Sequence, residues 1–299
     1  MHADQVEVPE ALVRRLVDTQ FPQWAGHALR RVAEFGTDHR LFRLGDDLLV
    51  RMPIYGGSAD QALSDATWLP VLAPHLPVAV PSPVALGEPV AGYPFPWSVV
   101  PWLRGENPTS DNAGPHELAA DLAGFVAALH DVDPTGGPVK TDGARGTPIR
   151  GWDEAVREAI DLAGDRIDRA AVTVAWEDCL AAPDWPGEPV WIHGDLLAGN
   201  LLVHDGRLSA VIDFGALGLG DPAPDLQPAW TVLPAEVREE FRAGVGYDDD
   251  TWRRGRGWAL APALTGIPYY WETVPAFAER GLRTVAAVLA DLGLGQHLR

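Results

Sequence analysis

Residues 191–215 constrain this 299-residue chain more than any other stretch. Three short apolar runs, 189–192, 201–204 and 208–212, read as strands, and Asp205-Gly206 between the last two is a strong hairpin signal. His193-Gly194-Asp195 and Asn200 occupy the loop after the first run, and Asp213-Phe214-Gly215 follows the third. Folding the hairpin is expected to bring that loop toward the end of the strand carrying Asp213, so that Asp195, Asn200 and Asp213 converge. Asp213 has Ala210, Val211 and Ile212 before it and Phe214 after it, a setting in which burial is expected and a bare charge is costly. Mg²⁺ is the natural compensator. It takes carboxylate, amide and phosphate oxygens and keeps several waters, which suits Asn200 and Asp213 and leaves room for a nucleotide. Asp195, five residues before the amide, is then free to accept a proton from an attacking hydroxyl.

Around this stretch the chain changes character from its first third to its remainder. Apolar residues at helical spacing predict helices over 9–18 and 58–72. Alternating runs broken by Gly36-Thr37-Asp38 and Gly45-Asp46-Asp47 predict antiparallel strands over 29–34, 39–44 and 48–52, with further strands over 84–86 and 97–100. The Pro- and Gly-containing segment 101–108 reads as a linker. Beyond it, helices are expected over 117–130, 153–163, 168–181, 234–243, 251–265 and 274–292. The expected fold is α+β in two lobes. An antiparallel sheet with one helix beside it makes an N-lobe over 1–100, 101–108 links the lobes, and a mainly helical C-lobe spans 109–299.

Composition excludes several classes. The formal charge of −19 repels phosphate backbones and anionic lipid, so neither nucleic acid nor a membrane is an expected partner, while cationic small molecules are favoured. Cys179 stands alone, which excludes a disulfide framework and a cysteine-rich zinc site. No basic start with an apolar run opens the chain and no stretch approaches a membrane span, so a cytoplasmic location is expected; a monomer is expected as well. Lys140 is the only lysine, so chemistry that needs one must use it or substitute arginine. Gly215-Ala216-Leu217-Gly218-Leu219-Gly220 lacks the glycine order of a dinucleotide fingerprint, and no Gly-Lys-Ser/Thr exists for a Walker-type loop.

In these motifs the chain resembles the protein-kinase-like aminoglycoside phosphotransferase family. Its loop His-Gly-Asp-x-x-x-x-Asn and metal motif Ile-Asp-Phe-Gly are matched by His193, Gly194, Asp195 and Asn200 and by Ile212, Asp213, Phe214 and Gly215. Macrolide phosphotransferase relatives usually have His at the Asn200 position, so asparagine points to the aminoglycoside side. The resemblance implies a two-lobed kinase-like fold, Asp195 as catalytic base, Asn200 and Asp213 as metal ligands, and His193 beside the base. Gly220-Asp221-Pro222-Ala223-Pro224-Asp225-Leu226 is similar to the family segment whose second Asp, here Asp225, holds the catalytic loop in place. Arg51 stands where the family has its phosphate-contacting lysine or arginine. Its partner is expected from the next helix, where Asp65 replaces the family's Glu and Asp60 competes. Gly36 and Thr37 fall in the place of the nucleotide-covering loop, and Pro101 and Leu103 in the place of the hinge that reads the base through one carbonyl and one N–H.

What the resemblance implies is an ATP-dependent O-phosphotransferase, with GTP as the alternative donor and Mg²⁺ as cofactor, acting on a cationic aminoglycoside-like antibiotic. Asp153, Glu154, Tyr270 and Glu272 are the expected lining of the acceptor site, the carboxylates for ammonium groups and the ring for a sugar face or cation. A small-metabolite kinase of the same superfamily, acting on choline, homoserine or a sugar, is the alternative. Against a nucleotide-binding pseudokinase stand intact Asp195, Asn200 and Asp213.

Overall fold

The computed structural model describes residues 5–32, 38–141 and 143–295. In chain order the helices and strands are α1 (Glu10–Gln20), β1 (Leu29–Arg31), β2 (His39–Leu44), β3 (Leu48–Pro53), α2 (Gly56–Leu72), β4 (Ala85–Gly87), β5 (Trp97–Pro101), α3 (Pro115–His130), α4 (Asp153–Ala163), α5 (Arg169–Leu180), β6 (Val190–Ile192), β7 (Leu201–His204), β8 (Arg207–Val211), β9 (Gly218–Gly220), α6 (Pro228–Thr231), α7 (Arg238–Val245), α8 (Asp249–Tyr270) and α9 (Pro275–Asp291). The chain divides into two compact units, one of Met1–Gly105 with Ser209–Gly215 and one of Glu106–Leu208 with Ala216–Arg299.

The first unit is built on a sheet of order β1-β2-β3-β5-β4, antiparallel at every step. Alternation along β2 and β3 sends Phe42, Leu44, Val50 and Met52 to one face, where they are fully buried with Trp97 and Val99. The Leu12, Val13, Leu16 and Val17 stripe of α1 completes that core, so a helix-period pattern meets a strand-period pattern across one apolar layer. Tyr93 belongs to it too. Its hydroxyl donates to the Pro53 carbonyl at 2.8 Å, and burial pushes the phenol far above its ordinary range. The segment 209–215 joins this unit because Ala79 and β8 bond each other along a parallel bridge, Ala79 N to Ser209 O at 3.2 Å and Val211 N to Ala79 O at 3.0 Å.

The second unit is mainly helical. α8 packs against α9, α4 and α5, and α3 against α7. Asp168 and Asp248 cap α5 and α8, their carboxylates accepting from Ala171 N at 3.0 Å and Thr251 N at 2.8 Å. Cys179 is buried in α5, and burial pushes its thiol up to about 12, which makes it a core residue and not a nucleophile.

Two elements depart from expectation. α8 continues to Tyr270 through Pro262 and Pro268, beyond the expected end at residue 265. Each proline removes one helical N–H, but contact along α9 outweighs the lost bonds. The glycine-rich run after Asp213 contains a strand, β9, whose Val190↔Gly220, Trp191↔Leu219 and Ile192↔Gly218 register completes a ladder with β6. Propensity hides it, since Gly-Leu-Gly carries no β-branched residue and gains its place from burial and from that ladder. The expected Asp205-Gly206 turn is present, with φ of 51° and 78°, and β7 and β8 form a two-stranded sheet. β1 ends at Arg31, and Gly36 and Thr37 lie outside the described residues.

Candidate active site

In the second unit, β6 delivers the chain into the loop that carries Asp195. His193 and Gly194 are buried, and so is Asp225 from the segment after β9. The Asp225 carboxylate accepts the His193 N–H at 2.8 Å and the Gly194 N–H at 2.6 Å, fixing the peptide planes just ahead of Asp195. Gly194 has φ +77°, and a Cβ there would sit 3.2 Å from the Ala216 carbonyl, so the turn requires glycine. The loop then ties its own ends. Asp195 N donates to His193 Nδ1 at 3.1 Å, Leu197 N to the Asp195 carbonyl at 2.8 Å, and Asn200 Nδ2 to the Asp195 carbonyl at 2.8 Å and Oδ2 at 3.2 Å. Leu196 anchors the loop in the core, which leaves the Asp195 carboxylate partly exposed.

Support continues behind Asp225. His130, in the last turn of α3, meets Asp225 Oδ2 through Nε2 at 3.2 Å and the Tyr247 hydroxyl through Nδ1 at 2.9 Å. Burial, followed by the charges of Asp225 and Asp221, pushes the Tyr247 phenol up to about 12, so it remains a neutral hydrogen-bonding group. Asp221 is buried too. Burial raises its carboxyl, while Arg254 opposes that shift from 2.7 Å.

Three contributors to this loop carry no motif. Asn107 Nδ2 donates to the Gly199 carbonyl at 3.1 Å and the Leu201 carbonyl at 2.9 Å, holding the far end. Gln227 Nε2 reaches the Gly194 carbonyl at 3.5 Å. Arg145 Nη1 donates to Asp195 Oδ1 and, at 2.7 Å, to the Gly194 carbonyl. None of the three carries a signal legible in sequence, since each meets the loop from a distant segment.

In the first unit, β3 carries Arg51, whose Nη1 donates to Asp65 Oδ2 of α2 at 2.7 Å. Asp65 is fully buried and Asp60 exposed, so Asp65 is the partner. A full turn and more of helix separates the two acids, and only Asp65 faces the sheet. His39 of β2 lies nearby. Burial first, then the Arg51 charge, lowers its imidazole to about 3, with Asp213 opposing, which leaves it neutral at any working pH.

Asp213 contradicts its expected burial, because the side chain is exposed. β8 ends at Val211, and Asp213 takes φ +63°, a left-handed backbone that costs a non-glycine residue about 1 kcal/mol. That turn buries Phe214 and swings the carboxylate out, where Gln61 Nε2 of α2 donates to its Oδ1 at 3.2 Å. Desolvation therefore gives no argument for a cation at Asp213. Fit to Mg²⁺ rests instead on donor chemistry: Asp213 offers a carboxylate oxygen, and Asn200 spends its amide N–H groups on Asp195, leaving Oδ1 for a hard cation. Each residue by itself carries a donor that suits such an ion.

Of the expected acceptor residues, Asp153 opens α4 and is already engaged, its Oδ1 accepting from Trp176 Nε1 and Arg157 Nε, both at 2.8 Å. Glu154 and Glu272 are exposed. Tyr270 ends α8 in edge-to-face contact with Tyr269 and Phe277, ring centres 4.7 and 5.1 Å away. At the expected hinge, Pro101 closes β5 opposite Leu48 and Leu103 is half-buried. Between them Trp102 N donates to the Asp47 carbonyl at 2.7 Å, and the Arg43 guanidinium stands 4.4 Å over the Trp102 ring.

Among the described residues no helix is long and apolar enough to cross a membrane. Residues 29–258 match a family model described as the phosphotransferase enzyme family. An aminoglycoside 3'-phosphotransferase of Escherichia coli is 33% identical over 127 residues, 42% of this chain and 44% of that protein, so the match spans less than half of the relative's length. Among solved structures, the GDP and kanamycin complex of APH(2")-IIia superposes with a TM-score of 0.73 at 19% identity, covering 93% of this chain and 98% of that one. The macrolide 2'-phosphotransferase MphH from Brachybacterium faecium, as apoenzyme, has a TM-score of 0.61 at 27% identity, covering 94% and 98%. These likenesses agree with a kinase-like α+β fold, antiparallel sheet first and helices after.

Proposed function

This chain belongs to the phosphotransferase enzyme family, and from that membership we propose that it transfers the γ-phosphate of ATP, or of GTP, to a hydroxyl of a cationic aminoglycoside-like antibiotic. The observation that carries this reading is the Asp225-held loop, which presents the Asp195 carboxylate to solvent on a fixed backbone. A carboxylate so placed accepts the hydroxyl proton as the acceptor oxygen attacks phosphorus. Asn200 and Asp213 are the residues that would hold Mg²⁺, whose charge offsets that of the β- and γ-phosphates when bound. Arg51, oriented by buried Asp65, would grip α- and β-phosphate oxygens through its planar fork. Pro101 and Leu103 would offer the base a carbonyl and an N–H. Glu154, Glu272 and Tyr270 are the acceptor-side residues of this reading, with Asp153 orienting Arg157.

Arg51→Lys is expected to raise the KM for nucleotide about tenfold, the equivalent of ~1.4 kcal/mol, because a point charge remains while the fork is lost. The acceptor KM should stay unchanged. Steady-state kinetics with each substrate varied in turn checks both; equal rises in the two constants would contradict the assignment.

An ADP-release screen over aminoglycosides, macrolides and common metabolites tests the acceptor. For a chain of −19 charge the aminoglycoside reading expects an acceptor KM that rises severalfold between low and high salt. Turnover of neutral metabolites alone, insensitive to salt, would overturn it. A macrolide acceptor is the second reading, favoured by the 27% identity to MphH along 94% of the chain, against Asn200 on the aminoglycoside side.

A further inference from the structure

We infer that Arg145 is a further catalytic residue, whose guanidinium binds the phosphoryl group in flight while bonded to Asp195. This rests on the reading of Asp195 as the base. Arg145 comes from a loop fifty residues before Asp195, and its Nη1 bridges Asp195 Oδ1 and the Gly194 carbonyl. Both side chains stay about a quarter exposed, 24% and 26%. An ion pair that open to water adds little to stability, too little to explain its placement.

The loop does not depend on the guanidinium for its shape. Thr147 Oγ1 donates to the Ala144 carbonyl at 2.8 Å, Ala144 N to the Thr141 carbonyl at 3.1 Å, and Asp221 N to the Gly146 carbonyl at 2.9 Å. Gly146, at φ +91°, lies so close to Ile192 that a Cβ would come within 2.5 Å of its side chain. The backbone is thus pressed onto β6 beside the catalytic loop, and Arg145 is the residue projected toward Asp195.

The charge there answers a specific problem. A nucleotide phosphate must approach the Asp195 carboxylate in a chain of −19 charge, and like charges repel. Lys140, five residues before Arg145, donates its Nζ to the Leu217 carbonyl at 2.8 Å, and burial lowers its ammonium. Among the described residues the bonds of Arg145 use Nη1 alone, leaving Nη2 and Nε as donors.

Those donors belong to a guanidinium that is one hydrogen bond from the base. Asp195 Oδ1 gives one lone pair to Arg145 and Oδ2 one to Asn200, and the remaining lone pairs accept the acceptor hydroxyl at about 2.6–3.2 Å. The hydroxyl oxygen forms its bond to the γ-phosphorus, the bond from phosphorus to the β,γ-bridging oxygen breaks with its electron pair going to the departing nucleoside diphosphate, and the hydroxyl proton passes to Asp195. A guanidinium one hydrogen bond from the base is then within reach of an equatorial oxygen of the moving phosphoryl group, where negative charge needs a fixed donor.

Calorimetry of the full chain with Mg·ADP, with and without tetrafluoroaluminate as phosphoryl mimic, tests this without knowledge of the acceptor. Wild type is expected to bind ADP at least tenfold more tightly with the mimic. Arg145→Ala should bind ADP alone as wild type does and lose that tightening, Arg145→Lys should keep part of it, and added guanidinium should restore part of it to Arg145→Ala. Tightening that persists in Arg145→Ala, or is absent from wild type, overturns the inference. So does loss in Arg145→Ala that neither lysine nor guanidinium repairs, since that marks a structural role. Turnover by Asp195→Asn reads the base assignment separately: full activity there would overturn the base while leaving the mimic result to judge Arg145.

Discussion

Asp195→Asn is expected to lower kcat by about 10²–10⁴-fold, the range that a positioned general base supplies. The amide matches the carboxylate in shape and still offers one oxygen to Arg145, so the loop and its Asp225 bonds should persist. What is lost is the capacity to take the hydroxyl proton. Nucleotide affinity, which the account assigns to Arg51 and to the metal-bound phosphates, should change less than threefold. Coupled ADP release at saturating acceptor and calorimetry with nucleotide check the two halves. An Asp195→Asn enzyme with near-normal kcat would remove the base from the mechanism.

Asp225→Ala is expected to cost about 3–5 kcal/mol of stability and to abolish turnover together. The carboxylate is fully buried and accepts the N–H groups of His193 and Gly194, with His130 on its second side. Alanine leaves two buried donors without an acceptor, each worth about 1–3 kcal/mol, and releases the peptides that aim Asp195. Asp225→Asn should recover part of the loss, since one amide oxygen serves one N–H well and two poorly. Urea unfolding midpoints, with activity followed in parallel, measure it. An unchanged midpoint for Asp225→Ala would contradict the account of how the loop is held.

The N-terminal sheet and the Asp205-Gly206 hairpin were legible because period-two alternation and a turn that needs positive φ act over a few neighbouring residues. Pairing of Arg51 with Asp65 was narrowed to two acids, and helix phase decided between them. Asp213 misled, since apolar neighbours mark a strand's burial but say nothing of a left-handed turn that carries the next side chain out. Arg145, Asn107 and Gln61 were illegible for another reason. Each arrives from a segment tens of residues or more from the group it touches, and no local pattern encodes so distant an encounter. β9 and the extension of α8 through two prolines exist through packing that overrides propensity.

Mass spectrometry of an acceptor panel incubated with the full chain, ATP and Mg²⁺ tests the central claim most directly. At least one aminoglycoside is expected to gain the mass of one phosphoryl group with ADP formed in equal amount, and Asp195→Asn is expected to yield neither product within the same time. ATP consumed without any phosphorylated alcohol, or an acceptor phosphorylated equally fast by Asp195→Asn, would contradict it.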